Sequence, residues 1–523
     1  MGTSKQTETG LATLLCALSF ATGLGFGGHM EHGLGSAALG LRLADELGLA
    51  EEEREAIFYG ALLKDVACTA CAAGIAAFFP DDEQVSLADV ILLDPSNSGE
   101  MMSWLSRYLR LDAQFPKRMG RLFSFLAQCA PLVRETMRSH CEIAELFARR
   151  LGFPDTVQRA LRFQWERWDG RGMAYGLKGE AIPRAARLLH LAQVLDLVQR
   201  LGGPEAAETL AREKRASRFD PQGVDAFLAL SGQSDFWSTL ERQAVQETLL
   251  TRRPSTRADL AYEGQDESIC EVLADFVDLK TRETWHHSRT VAQVAVNVGR
   301  SLHLDAHELI KLRCAALVHD LGKVAIPVAI VIKGEACSRS EWEVYRLHPY
   351  HTQRILEQVE TLRDLAPAAS SHHEWINGQG YHRQLSGTQI PLHGRILAVA
   401  NSYVRLLHQQ PEEQRDAAAI LQQMRPRVGR QFDSACYEAL VAAVTGADAA
   451  SSLVRRTRKA GNLSEREVEV LCLLAQGLHT PQIARTLSIS KKTVEHHLTH
   501  IYNKIGVTCQ TAAVVYAVQH GLV

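Results

Sequence analysis

Five histidines and an aspartate in the second half of the chain are spaced as metal ligands would be. Leu317-Val318-His319-Asp320 ends an apolar run on a His-Asp pair, and Ser371-His372-His373-Glu374 places two imidazoles before the turn Gly378-Gln379-Gly380-Tyr381. His348 stands between these groups. Ahead of them Glu283 and His287 lie four apart, which puts both on one face of a predicted helix. Asn401 falls inside the apolar run from Ile396 to Leu407. Polar groups in such apolar surroundings must find strong partners. Imidazole nitrogen with carboxylate oxygen suits Fe, Mn, Zn or Ni better than Mg or Ca, in one to three ions, and Asp320 has the chemistry to bridge two. Such a centre activates water and neutralises phosphoryl oxygens during in-line attack. Lys323, one turn after Asp320, adds a point charge for a substrate phosphate. Any one of these histidines alone reads as an ordinary core or surface residue; the set carries the inference.

A second kind of chemistry closes the chain. Ser464 and Glu467 form a capping box at the head of a predicted helix that Gly477 ends. A short helix from Thr480 to Leu487 follows, then a turn at Ile489-Ser490 and a polar helix opening on Lys491-Lys492-Thr493-Val494. A last helix runs from Thr511 to His520. Short helix, tight turn and polar second helix make a helix-turn-helix, whose second helix enters the major groove of double-stranded DNA. Charge agrees. From Arg455 onward nine Lys/Arg face four Asp/Glu, +5, which leaves -8 of the net -3 for the preceding 454 residues.

The elements that must position these groups are helical. At 523 residues, 46% hydrophobic and 22% charged, the chain has the length of about three or four globular domains. Residues 10–220 carry helical apolar spacing, with helices expected at 34–49, 51–79, around 100–111, 117–128, 131–150 and 182–201. No stretch alternates at period two, so the fold class is all-α. The uncharged run 9–28 is glycine-rich and meets His29 and Glu31 directly; it reads as a buried first helix, with no membrane role. Eleven scattered cysteines, with one CxxC at Cys68 and Cys71, read as reduced thiols of a cytoplasmic protein.

The body is a duplication. Gly60-Ala61-Leu62-Leu63-Lys64-Asp65 parallels Ala315-Ala316-Leu317-Val318-His319-Asp320, and one offset of 208 relates His140 to His348, Glu166 to Glu374 and Gln193 to Asn401. The copies part where chemistry would sit. Lys64 stands for His319, and Gln164-Trp165 stand for His372-His373. A protonated lysine cannot ligate a metal, so the nitrogens left in the first copy are not expected to converge on one centre.

These residues resemble two known families. His319-Asp320, His348, His372-His373 and Gly378-x-Gly380-Tyr381 are similar to the HD-GYP branch of the HD metal-dependent phosphohydrolases, which hydrolyse cyclic di-GMP at a two- or three-metal centre. The resemblance implies metal ligation by Glu283, His287, His319, Asp320, His348, His372 and His373, with His319 and Asp320 catalytic and Lys323 toward substrate. Two departures stand out: Asn377 and His382 frame the Gly-x-Gly-Tyr turn, and Asn401 replaces the closing metal-ligating aspartate with a weaker neutral ligand. Residues 461–523 closely resemble the LuxR/GerE DNA-binding domain, which implies Lys491, Lys492, His496, Thr499 and Lys504 toward DNA and a homodimer.

The expected plan is a degenerate HD-type domain over 1–221, a connecting segment over 222–270, a metal-binding HD-type domain over 271–445, a basic linker over 446–461 and a four-helix LuxR-type module over 462–523. The expected function is a cytoplasmic transcriptional regulator whose second domain binds metal and senses a phosphorylated ligand such as a cyclic dinucleotide. The alternative is an active cyclic-dinucleotide phosphodiesterase with a DNA-binding tail.

Overall fold

Helical spacing becomes helix throughout. The computed structural model describes residues 11–25, 31–76, 99–100, 134–172, 174–233, 235–240, 254, 266–410, 414–445 and 462–523. Among these no strand forms, and only isolated bridges such as Asn377 to Ser386 and Val428 to Phe432 occur. The helices expected at 100–111 and 117–128 and the linker over 446–461 lie outside the described residues. No described helix is long and apolar enough to cross a membrane.

The described helices of the first half are α1 (Leu11–Gly25), α2 (His32–Glu46), α3 (Glu51–Leu63), α4 (Val66–Ala76), α5 (134–150), α6 (Asp155–Arg162), α7 (Arg184–Gly202), α8 (Pro204–Glu213) and α9 (Pro221–Ser231). Those of the second are α10 (Asp266–Asp278), α11 (His287–Ser301), α12 (Ala306–Val318), α13 (Val328–Lys333), α14 (Arg339–Tyr345), α15 (His348–Glu357), α16 (Ala366–Ala369), α17 (Leu392–His408), α18 (Ala417–Met424) and α19 (Ser434–Thr445). The terminal module has α20 (Glu465–Ala475), α21 (Thr480–Thr486), α22 (Lys491–Ile505) and α23 (Gln510–Gln519). By its contacts the chain divides into two units. One holds 18–260 with 460–517, and the other holds 261–459 with 1–17 and 518–522.

The duplication is visible in the helices. In the first domain α2 packs on α3 and α7; in the second, α11 packs on α12 and α17. A single offset of 255 carries α2 onto the start of α11 and both ends of α3 onto those of α12. Their caps have local causes. Glu51, Glu52 and Glu53 crowd the first turn of α3, where the helix dipole favours negative charge. Asp305 caps α12 by accepting from the Glu308 amide at 2.9 Å. Buried Leu312, Cys314, Ala315, Ala316, Leu317 and Val318 then fix the helix end that delivers His319 and Asp320.

Three expectations shift. The run 51–79 is broken at Lys64-Asp65 into α3 and α4. His319 and Asp320 lie past the C-terminus of α12, in the turn before a 3₁₀ segment Leu321–Ala325, not within the helix. Residues 222–231, assigned to the connecting segment, continue α9 from Pro221 and pack against α2, α7 and α8 through buried Val224, Phe227 and Leu230.

Candidate metal centre

Four turns bring the ligands together. His287 begins α11, His348 begins α15, His319 and Asp320 follow α12, and His372 and His373 follow α16. The meeting of α15 with the 3₁₀ segment requires Gly322, since a Cβ there would lie 2.0 Å from the His348 carbonyl oxygen. Gly380 is equally confined, its missing Cβ being 2.6 Å from both the Glu374 Cα and the Trp375 nitrogen. Gly378 has φ of +78°, the left-handed region the turn needs.

Two ligand clusters result, His287-His319-Asp320 and His348-His372-His373, with the donor atoms in each within 4.8 Å of one another. Asp320 joins them. Its Oδ2 lies 3.5 Å from His287 Nε2 and 3.2 Å from His319 Nε2, while Oδ1 lies 3.4 Å from His348 Nε2 and 3.6 Å from His372 Nε2. The carboxylate therefore turns one oxygen to each cluster.

The imidazoles are pre-set. His319, His348 and His372 each direct Nδ1 to the carbonyl three residues back, on Ala316, Tyr345 and Ala369, at 2.7, 2.7 and 2.6 Å. The proton so placed on Nδ1 leaves Nε2 as a lone pair aimed inward. His319 Nε2 and Asp320 Oδ1 are buried without a hydrogen-bond partner. Burial holds His287, His348 and His373 well below the usual imidazole range, hence neutral. Burial also pushes the Asp320 carboxyl up, but His319 and Lys323 outweigh it and hold the group well below the usual range. Orphaned inward lone pairs with an ionised bridging carboxylate fit a divalent-metal centre.

The other predicted residues vary in fate. Asn401, on α17, sets Oδ1 2.9 Å from His287 Nε2, so it joins the His287 side. Lys323 is buried, and its ammonium contacts Asp320 Oδ2 at 2.5 Å. Glu283 sits in the 3₁₀ turn Arg282–Thr284, and its side chain lies outside the described ones. It does not share a helical face with His287, because His286 between them adopts left-handed φ of +58° and α11 starts after it. Glu374 accepts from the amides of Arg383 and Leu385 at 3.1 and 3.0 Å, and so shapes the loop.

A cavity of about 600 Å³ opens at His373 and Asn401. Arg339, Arg405, Arg427 and Arg430 line it together with Trp342, Trp375 and Tyr381, and among the described residues no acidic one does. Tyr381 stacks on His373 with centroids 4.3 Å apart and planes 12° from parallel. Sequence reading missed the arginines of 427–430, which lie beyond every motif it used.

The first domain gives the contrast. His32 and Asp196 pair at 2.7 Å, while Asp65, Cys68 and His140 gather within 4.8 Å, so part of the relic set does converge. Cys68 occupies the position of Lys323, a match hidden in sequence by its CxxC neighbour Cys71. The Lys64 ammonium is fully buried and ion-paired to Asp65, and burial pushes the Cys68 thiol well up. His140 Nε2 meets Cys68 Sγ at 3.0 Å, and its Nδ1 has no partner. A cation is thus built in beside Asp65, while Asp65 Oδ1 stays without a hydrogen-bond partner and the cluster keeps donors that could hold a metal ion.

In the terminal module Ser464 and Glu467 form the expected capping box, and Ser490 caps α22 by accepting from the Thr493 amide at 3.0 Å. Gly506, φ +76°, ends α22. Ile483, Val494 and Ile501 are buried, and Lys491, Lys492, His496 and Thr499 are exposed. Lys504 pairs with Glu467 at 2.7 Å.

The chain matches the HD domain family over residues 105–223 and again over 271–435, together more than half its length. Residues 461–517 match the bacterial regulatory proteins of the luxR family. The chain is 28% identical over 443 residues to the 3'3'-cGAMP-specific phosphodiesterase 3 of Vibrio cholerae, spanning 82% of this chain and 94% of that protein. It is 31% identical over 205 residues to the cyclic di-GMP phosphodiesterase response regulator RpfG of Xanthomonas campestris, 38% of this chain and 54% of the relative. A crystal structure of a cyclic GMP-AMP specific phosphodiesterase of V. cholerae is similar in fold, with TM-score 0.56 and 24% identity, covering 83% of this chain and 98% of that one.

Proposed function

Since the chain belongs to the HD domain family and ends in a luxR-type module, we propose that it is a metal-dependent cyclic-dinucleotide phosphodiesterase carrying its own DNA-binding domain. One observation carries the reading: Asp320 divides its oxygens between two histidine clusters, beside a cavity lined by arginines and aromatics. The similarity to phosphodiesterases of cyclic dinucleotides over most of the chain supports it.

Asp320 with His287, His319 and Asn401 would hold metal on one side, with Glu283 proposed to complete that set. Asp320 with His348, His372 and His373 would hold it on the other. Bound there, divalent metal supplies an activated water and neutralises phosphoryl charge. Lys323 keeps Asp320 ionised and aimed. In the cavity, Arg405, Arg427 and Arg430 meet phosphate oxygens, while Trp342 and Trp375 offer faces to bases. Water attacks phosphorus, one phosphodiester P–O bond breaks, and the released sugar oxygen takes a proton, giving a linear dinucleotide. The test is turnover of 3'3'-cGAMP and cyclic di-GMP by Mn²⁺- or Fe²⁺-loaded protein, with loss in His319→Ala. Tight binding with no turnover in any metal would return the sensor reading, which rests on the neutral amide of Asn401.

On the module, α22 is the DNA-reading helix in this proposal, with Lys491, Lys492, His496 and Thr499 toward the duplex and two copies of the chain on a two-fold site.

A further inference from the structure

The first domain has no assigned role, yet its helix α5 makes three polar contacts with the terminal module inside one structural unit. Glu142 is 1% exposed, and its carboxylate accepts from both the Thr508 amide, at 2.8 Å, and the Thr508 hydroxyl. Arg149 donates to the Ile505 carbonyl at 3.3 Å, and Ser139 Oγ donates to Cys509 Sγ at 3.1 Å. One face of α5 thus grips the segment between the end of the reading helix and the head of α23.

Burial agrees. Ala512, Ala513, Val515 and Ala517 of α23 are all buried. At 3.6 residues per turn these positions span more than half the helix circumference, wider than the single apolar stripe of a surface helix. The helix is enclosed from more than one side.

The chemistry of the grip is specific. Thr508 presents an N–H and an O–H just ahead of α23, and a helix head with free donors is an anion seat. DNA-binding domains place backbone phosphates on such donors. Here the occupant is the carboxylate of Glu142. The opposite end of the reading helix, with Lys491, Lys492 and His496, is exposed.

We propose that the degenerate first domain is a clamp on the DNA-binding module, with Glu142 occupying as a phosphate mimic the donors at the head of α23 that a DNA phosphate would take. Clamped, the module reaches a duplex only through the front of the reading helix. Released, it gains the Thr508 seat and loses a nearby negative charge. The lysine–aspartate pair inside the first domain fits this role, since a scaffold gains nothing from an exchangeable cation.

Two variants of the full-length protein test the clamp, with a random-sequence DNA duplex at low salt as probe. Glu142→Ala should bind the duplex about ten-fold more tightly than the parent. Ser139→Cys places a second sulfur beside Cys509, and oxidation should close an intrachain disulfide detectable in non-reduced peptides. The oxidised protein should bind DNA about ten-fold more weakly than the parent and recover on reduction, with dinucleotide hydrolysis unchanged in every form. The clamp is overturned if oxidised Ser139→Cys forms no bond to Cys509. Locked and reduced forms that bind the duplex equally would overturn it too, as would a folded Glu142→Ala that binds no better than the parent.

Discussion

The two HD-type domains surround the same buried aspartate with the same kind of cation, placed differently. Asp320 receives its ammonium from Lys323, three residues later, which leaves the preceding position to His319. Asp65 receives its ammonium from Lys64, immediately before it, where the second domain has that ligand. Position 68, corresponding to Lys323, passes to a cysteine. A buried carboxylate must be compensated in either case. Moving the compensating charge by one turn changes which neighbours remain for the carboxylate: histidines on both sides of Asp320, a cysteine and a histidine beside Asp65.

The largest separation between the domains should appear in hydrolysis. Asp320→Ala is expected to lower turnover of cyclic dinucleotide by about 10⁴-fold, while Asp65→Ala leaves it near the parent rate, measured at saturating Mn²⁺. Equal losses would mean that both domains serve one active site. Next comes stability. Lys64→Met strands Asp65 and should cost about 3–5 kcal/mol in urea unfolding, most of it recovered in the double variant with Asp65→Asn. A single variant as stable as the parent would remove the built-in cation from the argument.

A smaller effect depends on pH. Burial drives His140 down to about 4, so the unfolded chain takes up a proton near pH 6.5 that the folded chain declines. This contribution is complete above 6.5 and is lost as pH falls from 6.5 toward 4. Between pH 7 and 5, His140→Gln should lose about 2 kcal/mol less than the parent; parallel losses would show His140 titrating normally. The smallest expected change is Asn401→Asp, which adds the charge missing beside His287 and should tighten metal binding about ten-fold by competition with a fluorescent chelator. No tightening would place the Asn401 amide outside the ligand set.

How legible this was in the sequence follows from how local each feature is. The helices and their repeat were readable because apolar spacing and caps act within a few residues, as at Asp305 and Ser464. The order of His287, His319, Asp320, His348, His372 and His373 exposed the second domain's clusters, because each stands near a turn with its own marker. The helix expected to join Glu283 and His287 fails through a backbone event, the left-handed His286 that no periodicity signals. Lys323 and Lys504 were read by charge, and the carboxylates that pair with them, Asp320 and Glu467, carry no signal of that pairing in the sequence. Cys68 was read with Cys71 because spacing along the chain hid its place beside His140. The pairing of Glu142 with Thr508 joins residues 366 positions apart, with no motif at either end.

The carbonyl partners of His319, His348 and His372 have a wider consequence. Each ring is fixed by an oxygen only three residues upstream, so each ligand comes as a four-residue cassette that sets its own tautomer. Such a cassette asks nothing of distant side chains and tolerates replacement of nearly everything around it. A centre assembled from these units can stay chemically intact while the surrounding sequence drifts. His140, whose Nδ1 has lost any such partner, shows a unit whose latch has gone.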